Sequence, residues 1–174
     1  IEIGAAASLS VIGERLGAEF PLLPKMLRRF GSRAVRNRAT LGGHLASASP
    51  SGDLWPVLMA MDARVRLVSM YAERDVPVAS FADGEGVTTL RPGELIRSVI
   101  VPRATPEVLK HGGVQRRLCE AYKSAQRRHL TRAMVASAFC VDLDEEGIIR
   151  KAILAYSGIA DRPLRARDTE KQLL

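Results

Sequence analysis

The segment Thr40-Leu-Gly-Gly-His44 carries the residue types that best suit ligand binding in this chain of 174 residues. Paired glycines let a backbone approach a ligand closely and can leave amides free to point at an anion. Thr40 adds a hydroxyl donor, and upstream arginines offer the planar guanidinium groups that suit phosphate oxygens. These are Arg33, Arg36 and Arg38. The pattern favours a diphosphate site, although on spacing alone an ordinary tight turn is the commoner outcome.

Helices are predicted on both sides of this segment. Apolar residues recur with helical spacing over 8–18, a second helix is predicted over 21–30, and a buried helix over 53–61. Residues 32–52 show little periodicity and many small side chains, so a long loop is predicted there. Such a loop inside a compact domain is more often functional than a simple connection.

Alternating apolar residues predict strands in the rest of the chain. They span 64–69, 75–79, 94–101, 118–124, 134–143 and 148–156. Asp144-Glu-Glu-Gly147 predicts a hairpin loop, and Asp83–Gly86 a flexible loop. A final helix is predicted over 163–174, with Asp161 as a candidate cap. The fold class is therefore α+β, with two sub-domains meeting near residue 105.

The net charge and the composition of the chain indicate which kinds of binding partner it suits. Lys and Arg number 26 against 19 Asp and Glu, which gives a net charge of +7 and a pI near 10.0. Such a chain suits an anionic cofactor, an acidic partner or nucleic acid. Aromatic residues make up only 5% and no nucleic-acid motif is present, so nucleic acid is disfavoured.

Cysteine content and hydropathy predict the compartment. Cys119 and Cys140 form no CxxC pair or metal knuckle, so no iron–sulfur centre is expected in this chain. A domain of this size needs no disulfide, which favours a reducing cytoplasm. No apolar run is long enough to cross a bilayer, and no cationic region precedes an apolar one at the start, so neither a membrane span nor a secretory signal is expected.

The string from Phe30 to Asp53, FGSRAVRNRATLGGHLASASPSGD, closely resembles the FAD-binding segment of the molybdenum hydroxylases, especially the flavin-bearing small subunit of bacterial xanthine dehydrogenase. The resemblance continues through Gly4-Ala-Ala6, Leu90–Ile96, Tyr122-Lys123 and Ala155–Ala160. It therefore covers almost the whole chain.

The resemblance implies the second half of a PCMH-type FAD-binding domain over residues 1–104. A linker follows over 105–115. The last part, over 116–174, is an incomplete CO dehydrogenase flavoprotein C-terminal-like domain, which is an antiparallel sheet with helices. It also implies that the sequence begins after the family's first half-domain, whose glycine-rich loop supplies much of the diphosphate cradle. Weak FAD affinity, or dependence on a partner, is therefore expected of the isolated chain.

FAD is the cofactor that the resemblance implies, and nine positions match its contacts in the family. They are Phe30, Thr40, Leu41, Gly42, Gly43, His44, Asp53, Ile96 and Lys123. Other roles stay open for three of them: helix cap for Asp53, solvated charge for Lys123, and core packing for Phe30. No catalytic residue is assigned, and no metal site is expected.

The implied function is that of the FAD-binding component of a xanthine dehydrogenase-like, molybdopterin-dependent oxidoreductase. Its flavin would pass electrons from iron–sulfur clusters to NAD or another acceptor, with iron–sulfur and molybdopterin partners. A degenerate flavoprotein fragment and a basic module for nucleic acid or an acidic partner remain alternatives.

Two departures from the family pattern bear on this function. His44 replaces the usual Asn, and its charge is expected to depend on pH. The stretch 129–133 lacks the acidic residues that the family often has beside the flavin. This second departure puts reaction with NAD in doubt more than it does FAD binding.

Overall fold

The computed structural model describes residues 1–103, 105–127 and 130–174. Ala104, at the predicted domain boundary, Arg128, and His129, which begins the stretch without acidic residues, lie outside these ranges. Within the described residues the α-helices are α1 Leu9–Leu16, α2 Leu22–Leu27, α3 Arg33–Arg38, α4 Leu41–Ala46, α5 Leu54–Ala60, α6 Pro106–His111 and α7 Arg167–Gln172. The strands are β1 Glu2–Gly4, β2 Arg64–Val68, β3 Glu73–Pro77, β4 Ala82–Gly84, β5 Val87–Thr88, β6 Leu95–Ile100, β7 Arg116–Ser124, β8 Val135–Leu143, β9 Ile149–Ser157 and β10 Leu164–Arg165.

The first sheet is antiparallel and has the strand order β1-β6-β2-β3. Val65 on β2 lies opposite Val99 on β6 and Val76 on β3. Val65 and Val99 are fully buried. The sequence pattern predicts β2, β3 and β6 but not β1, because three residues are too few for an alternation to be recognised.

The second sheet is also antiparallel, with the order β10-β9-β8-β7, and helix α5 packs on it. Its inner face carries small buried residues such as Ala136, Ala138 and Ala155, which allow the helix to approach closely. Trp55 on α5 is completely buried and stacks on Phe81. One apolar core runs through both sheets. The predicted α+β fold with antiparallel sheets and helices is confirmed.

The prediction of a long loop over 32–52 is wrong, because this segment contains α3 and α4. Each begins at a hydroxyl side chain: Ser32 accepts a hydrogen bond from the amide of Val35, and Thr40 accepts one from the amide of Gly43. N-capping of this kind stabilises short helices. Each of these helices has only six residues, with several Arg, Gly or Ala side chains, and shows no apolar periodicity. The sequence pattern therefore did not predict them.

The connecting segments also differ from those predicted from the sequence. The predicted linker contains α6, and the predicted loop at Asp83–Gly86 is the turn of the β4–β5 hairpin. The final segment begins with β10 before α7, whose N-cap is Ala166, so the cap role of Asp161 is wrong. The hairpin at Asp144–Gly147 is confirmed. No described helix has the length and apolarity needed to traverse a bilayer.

The two cysteines, for which no disulfide was expected, are bonded to each other. Cys119 on β7 lies directly opposite Cys140 on β8, and a disulfide joins them across the strands. The Cα atoms of these two residues lie only 4.3 Å apart, which is close enough for a disulfide bond. The pairing was hidden in the sequence because it depends on the register of two strands.

Gly158→Ala is expected to destabilise the fold by about 1–3 kcal/mol. Gly158 has φ of 87°, and a Cβ there would lie 2.1 Å from the carbonyl oxygen of Met134. Urea denaturation measures the loss. Gly113→Ala is the matched control, since Gly113 also has positive φ, 72°, but its Cβ would meet open space. An equal loss in both variants would show that the contact with Met134 is unimportant.

Candidate functional site

A cavity of about 380 Å³ lies between the end of α2, the start of α5 and the loop before β8. Its walls include Phe30, His44 and Asp53, which the sequence predicted, together with Ser49, Ser51 and Arg132. Most cofactor pockets are clefts of roughly this size or larger, with a few converging polar groups. The fold therefore brings three of the nine predicted site residues to one opening.

Asp53 forms a buried ion pair with Lys123 at the base of this cavity. The Nζ atom of Lys123 donates to Oδ2 of Asp53 at 2.6 Å, and both side chains are less than a tenth exposed. Burial raises the pKa of Asp53, while Lys123 and then Arg29 oppose the rise. Asp53 stands at the N-cap position of α5 but makes no capping hydrogen bond, so the cap role is wrong.

Lys123 joins three separate segments of the chain. Besides Asp53, its ammonium donates to the carbonyl oxygens of Arg29 at 3.1 Å and Thr131 at 3.0 Å. A lysine ammonium has three N–H donors, so these bonds use all of them. The alternative of a solvated charge is wrong, and Lys123 holds the cavity walls together. A contact between Lys123 and FAD stays a prediction, and it would have to replace one of these bonds.

His44 is held neutral between Phe30 and the start of α5. Its Nε2 atom accepts a hydrogen bond from the amide of Leu54 at 3.3 Å, and its ring meets that of Phe30 edge-on, with centroids 5.6 Å apart. Burial lowers the pKa of His44 from 6.5 to about 4. The expected pH-dependent charge is therefore absent near neutral pH. His44, not Asp53, caps α5.

His44→Gln is expected to make the free energy of unfolding less dependent on pH below neutrality. Between pH 6.5 and about 4, the unfolded chain protonates His44 and the folded chain does not. Stability is therefore lost as pH falls through this window, by about 3 kcal/mol in total. Gln keeps an acceptor without titrating. Urea midpoints at pH 7 and 4.5 measure the difference, and His111→Gln, at an exposed position, is the control. If His44→Gln lost as much stability between pH 7 and 4.5 as the wild-type protein, the lowered pKa of His44 would be contradicted.

The expectation that the Thr40–His44 amides are free to grip an anion is wrong. The amides of Leu41 and Gly42 donate to the carbonyl oxygens of Ala7 and Ala5. Those of Gly43 and His44 donate to the hydroxyl and carbonyl oxygens of Thr40. The paired glycines therefore lie in a helix whose first four amides already have partners within the chain.

Leu41, Gly42 and Gly43 differ in their burial and in what surrounds them. Leu41 is 1% exposed in the core, and a Cβ on the buried Gly42 would lie 2.7 Å from the Cβ of Ala5. Gly43 is exposed, and a Cβ there would meet only the hydroxyl oxygen of Thr40, at 3.0 Å. Gly43 therefore places no side chain against the Thr40 hydroxyl, and no hydrogen bond among the described residues uses the proton of that hydroxyl.

Ile96 and Arg36 do not line the cavity. Ile96 lies on β6 opposite Leu67, partly buried against the core and outside the cavity lining. Arg36 donates to the carbonyl oxygens of Phe30 and Gly31 at 2.8 and 3.3 Å. Its guanidinium thus fixes the turn that carries Phe30, which is a positioning role.

Arg132 and two serines border the cavity, although the sequence pattern did not single them out. The Nη2 atom of Arg132 donates to the hydroxyl oxygens of Ser49 at 3.3 Å and Ser51 at 3.1 Å. Leu130, on the same loop, has a positive φ of 55°. The only sequence signal was the run of small residues after His44. The contact itself joins positions more than eighty residues apart.

Two family models account for most of the chain. Residues 1–104 match the FAD binding domain in molybdopterin dehydrogenase, and residues 120–174 match the CO dehydrogenase flavoprotein C-terminal domain. The chain belongs to this family of FAD-binding proteins, whose cofactor is FAD. The resemblance seen in the sequence is confirmed.

Curated relatives support the same family. Xanthine dehydrogenase of Emericella nidulans is 32% identical over 98% of this chain, which corresponds to 13% of that protein. The 6-hydroxypseudooxynicotine dehydrogenase complex subunit alpha of Paenarthrobacter nicotinovorans is 31% identical over 91% of this chain and half of its own length. The chain thus spans half or less of these relatives, which are oxidoreductases.

Solved structures show the same fold. CO dehydrogenase from Oligotropha carboxidovorans superposes with a TM-score of 0.87 over 99% of this chain and 57% of its own, at 20% identity. Quinoline 2-oxidoreductase from Pseudomonas putida 86 gives 0.82 over the same shares, at 24% identity.

Proposed function

We propose that the chain holds FAD at the cavity bordered by Phe30, His44 and Asp53 and carries electrons between redox centres. The observation that carries this proposal is the position of the cavity. Its walls come from residues matched by the FAD-domain model and from the 130–132 loop in the second matched domain. The Asp53–Lys123 pair joins the two parts at that point.

Four groups are proposed to bind the cofactor: three line the cavity, and the fourth, Thr40, stands at the N-cap of α4, the helix that carries His44. The rings of Phe30 and His44 offer an apolar wall, and nothing among the described residues donates to Oδ1 of Asp53. This oxygen is free to accept a hydrogen bond from the cofactor. The hydroxyl of Thr40, against which Gly43 places no side chain, suits a phosphate oxygen. These groups fit a cofactor with a flat ring at one end and phosphates at the other.

The FAD group, when bound, supplies the redox chemistry, and the protein supplies its position and environment. Asp53 is kept in place by Lys123, and neutral His44 adds no charge to the cavity near pH 7. Arg132 contributes positive charge at the rim. Of the predicted contacts, Leu41, Gly42, Ile96 and Lys123 would shape or brace the site from outside the cavity.

The electron path and partners are part of the same proposal. The two cysteines are paired with each other, and we place the iron–sulfur clusters and the molybdopterin centre on partner subunits or domains. One relative is named as a subunit of a dehydrogenase complex, which supports such an assembly. The proposed acceptor is NAD or another oxidant. The cytoplasm is the proposed compartment, although the Cys119–Cys140 disulfide contradicts the expectation of reduced cysteines on which that compartment rested.

The visible spectrum of the purified protein, in its natural complex, tests the proposal. Oxidised flavin bands are expected at roughly 370 and 450 nm. Reduction with dithionite under argon should bleach them, and added NAD or another electron acceptor should restore them, with NADH as the product where NAD is the acceptor. A colourless protein would contradict the proposal, and steeply salt-dependent DNA binding by it would support a basic binding module instead. Restoration by oxygen but not by NAD would identify an acceptor other than NAD and would support the flavin site.

A further inference from the structure

A second cavity lies at the opposite end of helix α5 from the flavin-site cavity. Its volume is about 520 Å³, and it opens between the end of α5, the α1–α2 connection, α6 and the far part of the second sheet. The two cavities share no lining residue. Junctions between sub-domains are common places for ligand sites of this size.

The interior of this cavity is apolar and rich in polarizable groups. Phe20, Leu22 and Ile153 form part of the wall, and Met61 and the Cys119–Cys140 disulfide add sulfur atoms. Thioether sulfur makes favourable contacts with aromatic rings, and aromatic side chains pack well on other rings. The lining therefore suits a flat, apolar group.

Each charged side chain that borders the cavity already has a partner of opposite charge. Arg117 forms a two-bond pair with Asp142 at 2.5 and 2.6 Å, and the Asp142 side chain is only 5% exposed. Glu19 pairs with Arg103, and Asp62 with Lys151. A charged ligand would have to break one of these pairs or remain unpaired in a largely apolar space. An uncharged ligand meets no such cost.

Helix α6 covers one side of the opening, and among the described residues it makes no hydrogen bond or ion pair with the rest of the fold. Val108 and Leu109 face the cavity. The hydrogen bonds of the described α6 residues stay within 105–115. Outward movement of α6 would therefore break no hydrogen bond or ion pair between described residues of different elements. This offers a way in for a molecule as large as a double ring.

We propose that this second cavity is a binding site for an uncharged aromatic small molecule, separate from the flavin site. The polarizable apolar lining selects the ring, and the paired charges around it select against ions. The inference does not depend on FAD binding, and its failure would leave the proposed flavin site unaffected.

Calorimetric titration of the purified protein with 2-naphthamide tests this site. One molecule is expected to bind per chain. The matched anion 2-naphthoate, with the same ring system, is expected to bind at least tenfold more weakly. Absence of saturable binding of the amide, or equal affinity for the anion, would overturn the proposal. This comparison uses the unaltered protein and therefore does not depend on any variant folding.

Two variants locate the bound probe. Met61→Trp at the end of α5 and Leu109→Trp on α6 add bulk to the cavity lining and are each expected to weaken 2-naphthamide binding at least tenfold. Met70→Trp is the control, because Met70 is 90% exposed on a turn away from the cavity. Unchanged binding in both cavity variants would place the probe elsewhere and overturn the assignment.

Discussion

Lys123→Met is expected to lower the free energy of unfolding by about 3–5 kcal/mol, because it leaves a buried carboxylate without its cation. Two carbonyl oxygens, those of Arg29 and Thr131, also lose their donor. For a chain of this size, the loss corresponds to a fall in Tm of about 6–20 °C. Differential scanning calorimetry of the purified protein measures it.

A second ion pair on the same strand provides the control. Lys25 pairs with Glu120 on β7, but both side chains are a third or more exposed, so Lys25→Met is expected to cost less than about 1 kcal/mol. The double variant Asp53→Asn with Lys123→Met should recover part of the loss, because the unpaired charge is gone. If both lysine variants had the same small effect, Lys123 would not be the brace inferred from its contacts.

Gly43→Val is expected to remove bound FAD almost completely, to less than about a tenth of a flavin per chain. Its Cβ would lie 3.0 Å from the hydroxyl oxygen of Thr40, and the two methyl groups would cover the group proposed to meet a phosphate. Val has a better helix propensity than Gly, so the helix itself should tolerate the change. The ratio of absorbance at 450 nm to protein after gel filtration measures flavin content.

Ala46→Val is the matched control for this effect. Ala46 is exposed on the same helix, and the substitution introduces the same side chain away from Thr40. It should keep its flavin, and both variants should keep the wild-type circular dichroism spectrum. Full flavin retention in Gly43→Val would remove Thr40 and Gly43 from the proposed binding surface.

Much of the fold could be predicted because its larger elements have local signals. The alternation in β2 and the acidic turn at Asp144–Gly147 are visible in the sequence. α3 and α4 could not be predicted, because they depend on the caps Ser32 and Thr40 and on packing against Ala5. β1 exists through pairing with β6, almost a hundred residues away.

The sequence predicted three of the residues that line the cavity, and the cofactor contacts of all nine predicted residues stay predictions. Phe30, His44 and Asp53 do line one cavity. The burial of Lys123 follows from the register of β7 and from three segments distant in the chain, so no local pattern reports it. Free amides at Gly43 were a reasonable expectation from glycine content, but the helix that Thr40 caps uses them internally.

The position of the flavin in an experimental density map of the purified protein tests the central claim most directly. The account predicts density for the flavin ring in the cavity against Phe30 and beside Asp53, with a phosphate within hydrogen-bond distance of the Thr40 hydroxyl. A flavin bound elsewhere, with this cavity filled only by water, would contradict it.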